Sequence, residues 1–394
     1  MLPKVSWQPW RLSFFFAAYL ATAGAFAPYF PLYLEHRGLS GAQIGIVMAV
    51  AQGMRIFGPT LWGWLADRAT QRVLILRMTA LATAICFAPL LAGGGFGYVI
   101  AVMFATHFCM TAQIPILEAI TATRLRDDPQ AAARYGRMRA WGSVGFILTV
   151  LLAGPLFDAT GIGIQPWLVL LLLAATAIAG LLVRDAPHVV HTREPVSVRA
   201  RLAEPRVRWF FFSAGMMVFA HSAMYTYLSL HLAQLGYSKS AIGVFWVLGI
   251  VLEIGFFFVQ GRVFARFGLF HLLAASFALA AVRFVLLAEF AHIVVLLVLA
   301  QVLHVATFAV HHSASILTIQ RWFSGGAAAR GQALYISFGY GVGGTAGSLL
   351  AAWLWSAVNP AAAFLSSSVA ALVGWWAVRR SHKLDMQQMR LAGV

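Results

Sequence analysis

Apolar residues run along this chain in stretches of membrane length, cut by short polar turns, from one end to the other. About 20 consecutive apolar residues cross a bilayer core about 30 Å thick. On that measure the pattern predicts twelve transmembrane helices, at roughly 12–34, 41–66, 73–93, 96–125, 137–159, 164–184, 207–233, 239–264, 268–290, 292–320, 328–357 and 361–380. The one long polar stretch, DAPHVVHTREPVSVRARLAEPRVR, is rich in proline and arginine. It reads as a cytoplasmic linker over 185–206. It would join an N-terminal six-helix bundle (1–184) to a C-terminal six-helix bundle with a short cytoplasmic tail (207–394). The expected fold class is an all-α polytopic membrane protein built from two pseudo-symmetric six-helix bundles.

The halves repeat. GLSGAQIG matches GYSKSAIG at an offset of 198, placing Gly38, Ser40, Ile44 and Gly45 opposite Gly236, Ser238, Ile242 and Gly243. At the same offset Tyr29 falls opposite Tyr227, Gly63 opposite Gly261 and Arg68 opposite Arg266. In both copies a serine stands where an N-cap would open the second helix of its half. Internal repeats of six-helix halves mark secondary transporters, whose solute sites lie near the membrane midplane. The repeat therefore favours a carrier over a channel.

Composition agrees: 61% of residues are hydrophobic and 10% charged, against about 25% charged in a soluble domain. The net charge of +16 could suggest nucleic acid, but its placement argues otherwise. With the N-terminus in the cytoplasm, Lys4, Arg11, Arg68, Arg72, Arg77, the Arg124–Arg139 loop, the linker arginines, Arg262, Arg266, Arg321 and Arg330 all fall inside. Only Arg37 and Lys239 fall outside. That is the positive-inside bias, so both termini are expected in the cytoplasm of a bacterial inner membrane and no nucleic acid is expected. Met1–Leu12 leads straight into a long span, so no cleaved signal peptide is expected. Cys86 and Cys109 fall inside apolar helices and imply no disulfide framework.

An ionisable side chain in the membrane costs at least a few kcal/mol and so faces a cavity or a partner. Those here are Arg55, His107, Glu118, His221, Glu253, Arg283, His304, His311 and His312. Arg55 falls opposite Glu253 at the repeat offset, and no acidic residue on the first, second or eleventh helix offers it a partner. An unpaired buried cation is costly, which points to an anionic solute. At 100° per residue, His304, Thr307, Phe308 and His311 share a stripe and His312 lies about 80° away. A metal is not expected: His304 and His311 are about 10.5 Å apart along a helix axis, and a zinc ligand lies about 2.0–2.1 Å from its ion. GYGVGG has GxGxxG spacing (Gly339, Gly341, Gly344) but no βαβ flanks. Gly343 and Gly347 read instead as close helix packing. With no HExxH, GxSxG or Walker loop, neither an enzyme nor an ATP-driven pump is expected, and no cofactor.

GWLADRATQR, with Gly63, Asp67, Arg68 and Arg72, resembles the loop between helices 2 and 3 of the major facilitator superfamily, implying a charge latch that gates the carrier. PILEAITATRLRDDPQAAARYGRMRAWGSVGF resembles the sugar-binding helices 4 and 5 of lactose permeases. That resemblance puts Glu118 and Arg139 at solute-contacting positions and Phe146 where an aromatic ring stacks on the solute. Glu253, Arg283 and His304 match the residue types of the same permeases' coupling network on helices 8, 9 and 10. Their proton-titrating carboxylate is replaced here by Thr307, which leaves the proton to Glu253 or His304. LHVATFAVHHSAS and RIFGPTLWGWLADR resemble the phenylpropionate-permease branch, which implies proton-linked uptake. The expected function is alternating-access transport of a small organic solute, an aromatic or other small carboxylic acid. A sugar or nucleoside symporter and a drug or metabolite efflux carrier are the alternatives. Expected solute contacts are Glu118, Arg139, Phe146, Arg55, His311 and Tyr29, and the partners are the solute, protons and the lipid bilayer around a monomer.

Overall fold

The computed structural model describes residues 8–126, 128–185, 198–323 and 326–391. Lys4 and linker positions 186–197 lie outside the described residues. Helical runs of membrane length stand where the apolar pattern predicts them. These are α1 (Pro9–His36), α2 (Gly41–Arg68), α3 (Arg72–Ala92), α4 (Phe96–Leu125), α5 (Ala131–Thr160) and α6 (Ile162–Leu182) in the first half. In the second half they are α7 (Pro205–Gln234), α8 (Lys239–Arg266), α9 (Leu269–Glu289), α10 (Val294–Trp322), α11 (326–357) and α12 (Pro360–Leu391). No strand occurs among the described residues. Ten of these helices are long and apolar enough to cross a membrane. The other two, α7 and α11, fall short of that measure; most of α7 is buried, while α11 keeps exposed apolar residues such as Val342 and Trp353.

The repeated turn is built as its residues dictate. Gly38 and Gly236 take φ of +80° and +86°, a left-handed conformation that costs glycine little. The next helix then opens on serine. Gln43 N–H donates to Ser40 Oγ while Ser40 N–H donates to Gln43 Oε1, a reciprocal capping box. Ala241 N–H donates to Ser238 Oγ.

By internal contacts the described residues fall into two compact units. One comprises 8–36 and 57–185; the other comprises 37–56 and 198–391. Residues 37–56 group with the second because small residues let them close on it: a Cβ at Gly45 would sit 2.4 Å from the Ala352 Cβ. Tyr227 also donates its hydroxyl to Gly41 O.

In the first unit α1 lies directly on α5, and a Cβ at Gly145 would come within 2.3 Å of Ala17 O. The last carbonyls of α6, which have no partner within the helix, accept from arginines of other helices. Arg11 reaches Leu182 O at 2.9 Å, and Arg77 reaches Gly180 O and Val183 O. These two arginines thus complement the helix dipole.

In the second unit α7 and α11 approach through glycines. A Cβ at Gly343 would sit 2.5 Å from Gly215 O, and one at Gly347 would sit 2.5 Å from Phe219 O. The GxxxG reading holds. α12 runs to Leu391, well past the predicted end near 380, because its polar tail has partners. Asp385 is 1% exposed and ion-paired to Arg206, which also binds Glu204 at 2.7 Å, and Ser381 donates to Arg206 O.

Partial burial pushes the Glu204 carboxyl upward, but hydrogen bonds from Arg206 and Arg201 outweigh it and hold the carboxyl below its ordinary value of 4.5. Its contribution to stability is therefore full above that value and fades as pH falls through the lowered one. Arg206→Ala strands Asp385 as an unpaired buried charge, so unfolding in detergent is expected to become easier by about 3 kcal/mol. The double variant Arg206→Met/Asp385→Leu should recover most of that loss. A single variant melting like wild type would show that the tail does not depend on this pair.

Candidate functional site

In the first unit, Glu118 sits half-buried on α4 and accepts a hydrogen bond from the Tyr135 hydroxyl at 3.1 Å. Arg139, one turn beyond Tyr135 on α5, lies within electrostatic reach of Glu118 without forming an ion pair. Its guanidinium stands 5.6 Å from the Phe16 ring centre. The carboxylate and the guanidinium are therefore neighbours held apart by aromatic groups, with Tyr135 an intervening hydroxyl that sequence reasoning missed. Phe146 is 8% exposed and packed, its carbonyl against Gly24. Tyr29 is placed in the core, fully buried, with its hydroxyl donated to Val150 O and Phe157 edge-on at 5.0 Å. Its repeat partner Tyr227 is likewise tied to backbone, so the matching pair reflects packing in each half. At the α2–α3 turn Arg72 meets Asp67 at 2.8 Å, while Arg68 lies 4.1 Å over Trp64. A Cβ on Gly63 would meet nothing within 4 Å, so that position is open rather than a packing glycine.

The second unit holds the denser network. Arg283 on α9 is wholly buried, yet no carboxylate among the described residues touches it. Nε donates to Ala300 O at 2.8 Å, Nη1 to Thr307 Oγ1 and to His221 Nε2, both at 3.2 Å, and Nη2 to Met224 Sδ. A guanidinium only donates, so His221 Nε2 must accept. The His221 proton then resides on Nδ1, where it is donated to Met217 O at 2.9 Å. His221 is thus a neutral imidazole of fixed tautomer. Thr307 occupies the point where the resemblance places a carboxylate, and it serves Arg283 as a neutral acceptor.

Glu253 and His304 face each other instead. Glu253 Oε1 and His304 Nε2 are 2.6 Å apart, both residues buried. The contact is close but not aligned as a hydrogen bond, and His304 Nδ1 has no partner. A carboxyl and an imidazole this close share their titration and can hold one proton between them. The expected triad therefore divides into a fixed cation, Arg283, and a protonatable pair, Glu253 and His304.

The helix-10 stripe is corrected. Residues Val305–Val310 form a π-helical turn, which closes i→i+5 hydrogen bonds and shifts all later residues out of the 100° count. The rings that line up are His304, Phe308 and His312, stacked with interplanar angles of 14° and 11°. His311 instead meets Phe277 edge-on at 5.2 Å. A second π-helical segment, Tyr335–Gly343, lies in α11. It places both Tyr335 and Tyr340 with their hydroxyls near His312 Nδ1, at 3.3 and 3.4 Å. His221, Tyr225, Thr307, His311, His312 and Tyr340 line a cavity of about 10 Å³, room for about one water molecule. His312, which the stripe put aside, belongs to this lining. Arg55 is exposed and extends its guanidinium over the Tyr340 ring at 5.7 Å. No metal-binding group of three or more His, Cys, Asp or Glu occurs among the described residues.

The profile of the MFS_1 like family matches residues 9–366. The chain belongs to that family. It is a multi-pass membrane transporter of the major facilitator type and not an enzyme. This MFS_1-like chain is 28% identical over 303 residues to a probable 3-phenylpropionic acid transporter of Escherichia coli (strain K12), covering 76% of this chain and 78% of that one. It is 29% identical over 276 residues to a maltose permease of Geobacillus stearothermophilus, covering 68% of each. Among solved structures, the nucleoside transporter NupG superposes with a TM-score of 0.81 at 16% identity, over 95% of this chain and 99% of that one. At that identity the likeness shows the fold. The MFS_1-like site residues that the sequence did not single out are Tyr135, Tyr225, Tyr335 and Tyr340. Tyrosine in an apolar helix reads as ordinary packing, and the GYGVGG run that contains Tyr340 reads as close helix packing.

Proposed function

We propose that this carrier takes up an aromatic or other small carboxylic acid together with protons, by alternating access, as a monomer in a bacterial inner membrane with both termini cytoplasmic. Its working parts are the halves 1–184 and 207–394 and the linker 185–206. The observation that carries this reading is Arg55. It is an exposed guanidinium in a membrane helix, resting on an aromatic ring and without a carboxylate partner among the described residues. A planar cation so placed suits a carboxylate, which it can grip bidentately. The phenylpropionic acid relative supports the same class. Glu118 and Arg139, with Phe146, and His311 are proposed as further solute contacts. The Glu253–His304 pair is proposed to carry the proton, with Arg283 as its fixed cation. Gly63, Asp67, Arg68 and Arg72 are proposed to gate.

A sugar is the second reading, favoured by Glu118 beside the Tyr135 hydroxyl and by the maltose permease relative. Purified protein in liposomes decides between them. Labelled 3-phenylpropionate is expected to accumulate when the outside is made acidic, and the accumulation should collapse with a protonophore. Counterflow of maltose or a nucleoside with none of 3-phenylpropionate would overturn the acid reading.

A further inference from the structure

Tyr225 stands apart from the other tyrosines of its unit. Tyr227 donates to Gly41 O and Tyr237 to Ala291 O, while Tyr335 and Tyr340 both reach His312. The Tyr225 hydroxyl has no hydrogen-bond partner among the described residues. That hydroxyl is not sealed among apolar atoms, so it is open to an acceptor that enters the cavity. Its ring is held between His221 at 6.1 Å and Trp246 at 6.3 Å, and Trp246 is itself fixed by donating Nε1–H to Ser229 Oγ. The side chain is half-buried, lines the small cavity, and lies within electrostatic reach of Arg55, Arg283, Glu253 and Tyr340. Of those two cations, Arg283 is fully buried and its guanidinium already donates to four acceptors. Arg55 is exposed and bonded to no acceptor among the described residues. Tyr340 has its hydroxyl within hydrogen-bond distance of His312 Nδ1 and its ring under the Arg55 guanidinium.

From this arrangement we infer that Tyr225 is a solute-contacting, specificity-determining residue that donates its O–H to the carboxylate whose charge Arg55 neutralises. The inference rests on the carboxylate reading above. A phenol donating to an ionised acceptor forms a short bond, roughly twice as strong as one between neutral groups, so the pair selects an acid over its neutral isostere.

The test measures binding of 3-phenylpropionate and of 3-phenylpropionamide to wild type and Tyr225→Phe, with the melting temperature of each solute-free protein. Tyr225→Phe is expected to weaken binding of the acid by about tenfold or more and to leave the amide within about twofold. Solute-free melting should be unchanged, since no internal bond is lost. Acid binding equal to wild type in the variant overturns the inference and leaves the acid reading standing. Loss of solute-free stability also overturns it, by assigning the hydroxyl to an internal contact. Wild type that binds no carboxylate in the panel removes the acid reading and the inference with it.

Discussion

Glu253→Gln is expected to abolish solute accumulation driven by a pH gradient while leaving exchange of solute for solute running. Glutamine keeps the shape of the side chain and loses only its ability to ionise. Glu253 is 8% exposed and faces His304 at 2.6 Å, so a proton gained or lost there alters a buried charge beside a partner. No neighbouring group can substitute. Thr307 does not titrate, Arg283 remains a guanidinium, and His221 is locked as a neutral imidazole by the bond it accepts from Arg283. His304 stays in place in the variant, but without the carboxylate it has no buried counter-charge to stabilise its protonated form. Uptake into liposomes with an acidic exterior should fall to the level seen without a gradient, with counterflow close to wild type. Gradient-driven accumulation that survives the substitution would place the proton elsewhere.

A second large effect concerns stability. Gly343→Val is expected to prevent recovery of monodisperse protein, and Gly343→Ala to lower the melting temperature. The added Cβ would sit 2.5 Å from Gly215 O, and a backbone carbonyl on a packed helix cannot swing aside as a flexible side chain can. Overpacking of a few atoms costs about 1–3 kcal/mol, and in a membrane, close van der Waals contact is much of what holds helices together. Gly63→Ala is the matched control. Its Cβ meets nothing within 4 Å, so melting should be unchanged, and any transport defect in that variant speaks for gating. A Gly343→Val protein that melts like wild type would mean the two helices do not meet there.

The helical spans, the serine caps and the glycine contacts were legible because each follows from a local rule: length against bilayer thickness, an acceptor at a helix start, a missing side chain at a close approach. The site was legible only as a set of residue types. Glu253, Arg283 and His304 do gather in one unit, but which of them touch depends on rotamers and neighbours that spacing does not encode. His221 and Thr307 took Arg283, and that left Glu253 to His304. Tyr29 read as a solute contact because tyrosine at a repeated position looks purposeful, whereas both copies serve packing. The Glu118–Arg139 pairing missed Tyr135, which is one helical turn from Arg139 and tall enough to reach the carboxylate first. The histidine stripe failed for a different reason, since a count at 100° per residue assumes a ladder without faults.

Those faults have a mechanical meaning. A π turn is like a dislocation in a crystal: one surplus residue taken into the helix at the cost of about one backbone hydrogen bond, about 1 kcal/mol, while the rest of the ladder stays intact. Residues beyond it are turned by about one residue's angle, 100°, from where an unfaulted helix would place them. The two faulted helices are the ones that carry His311, His312, Tyr335 and Tyr340, and α11 is pinned at the end of its fault by Gly343 and just past it by Gly347. The two faults thus decide which side chains line this cavity, imidazole or threonine, phenol or glycine, without breaking either helix.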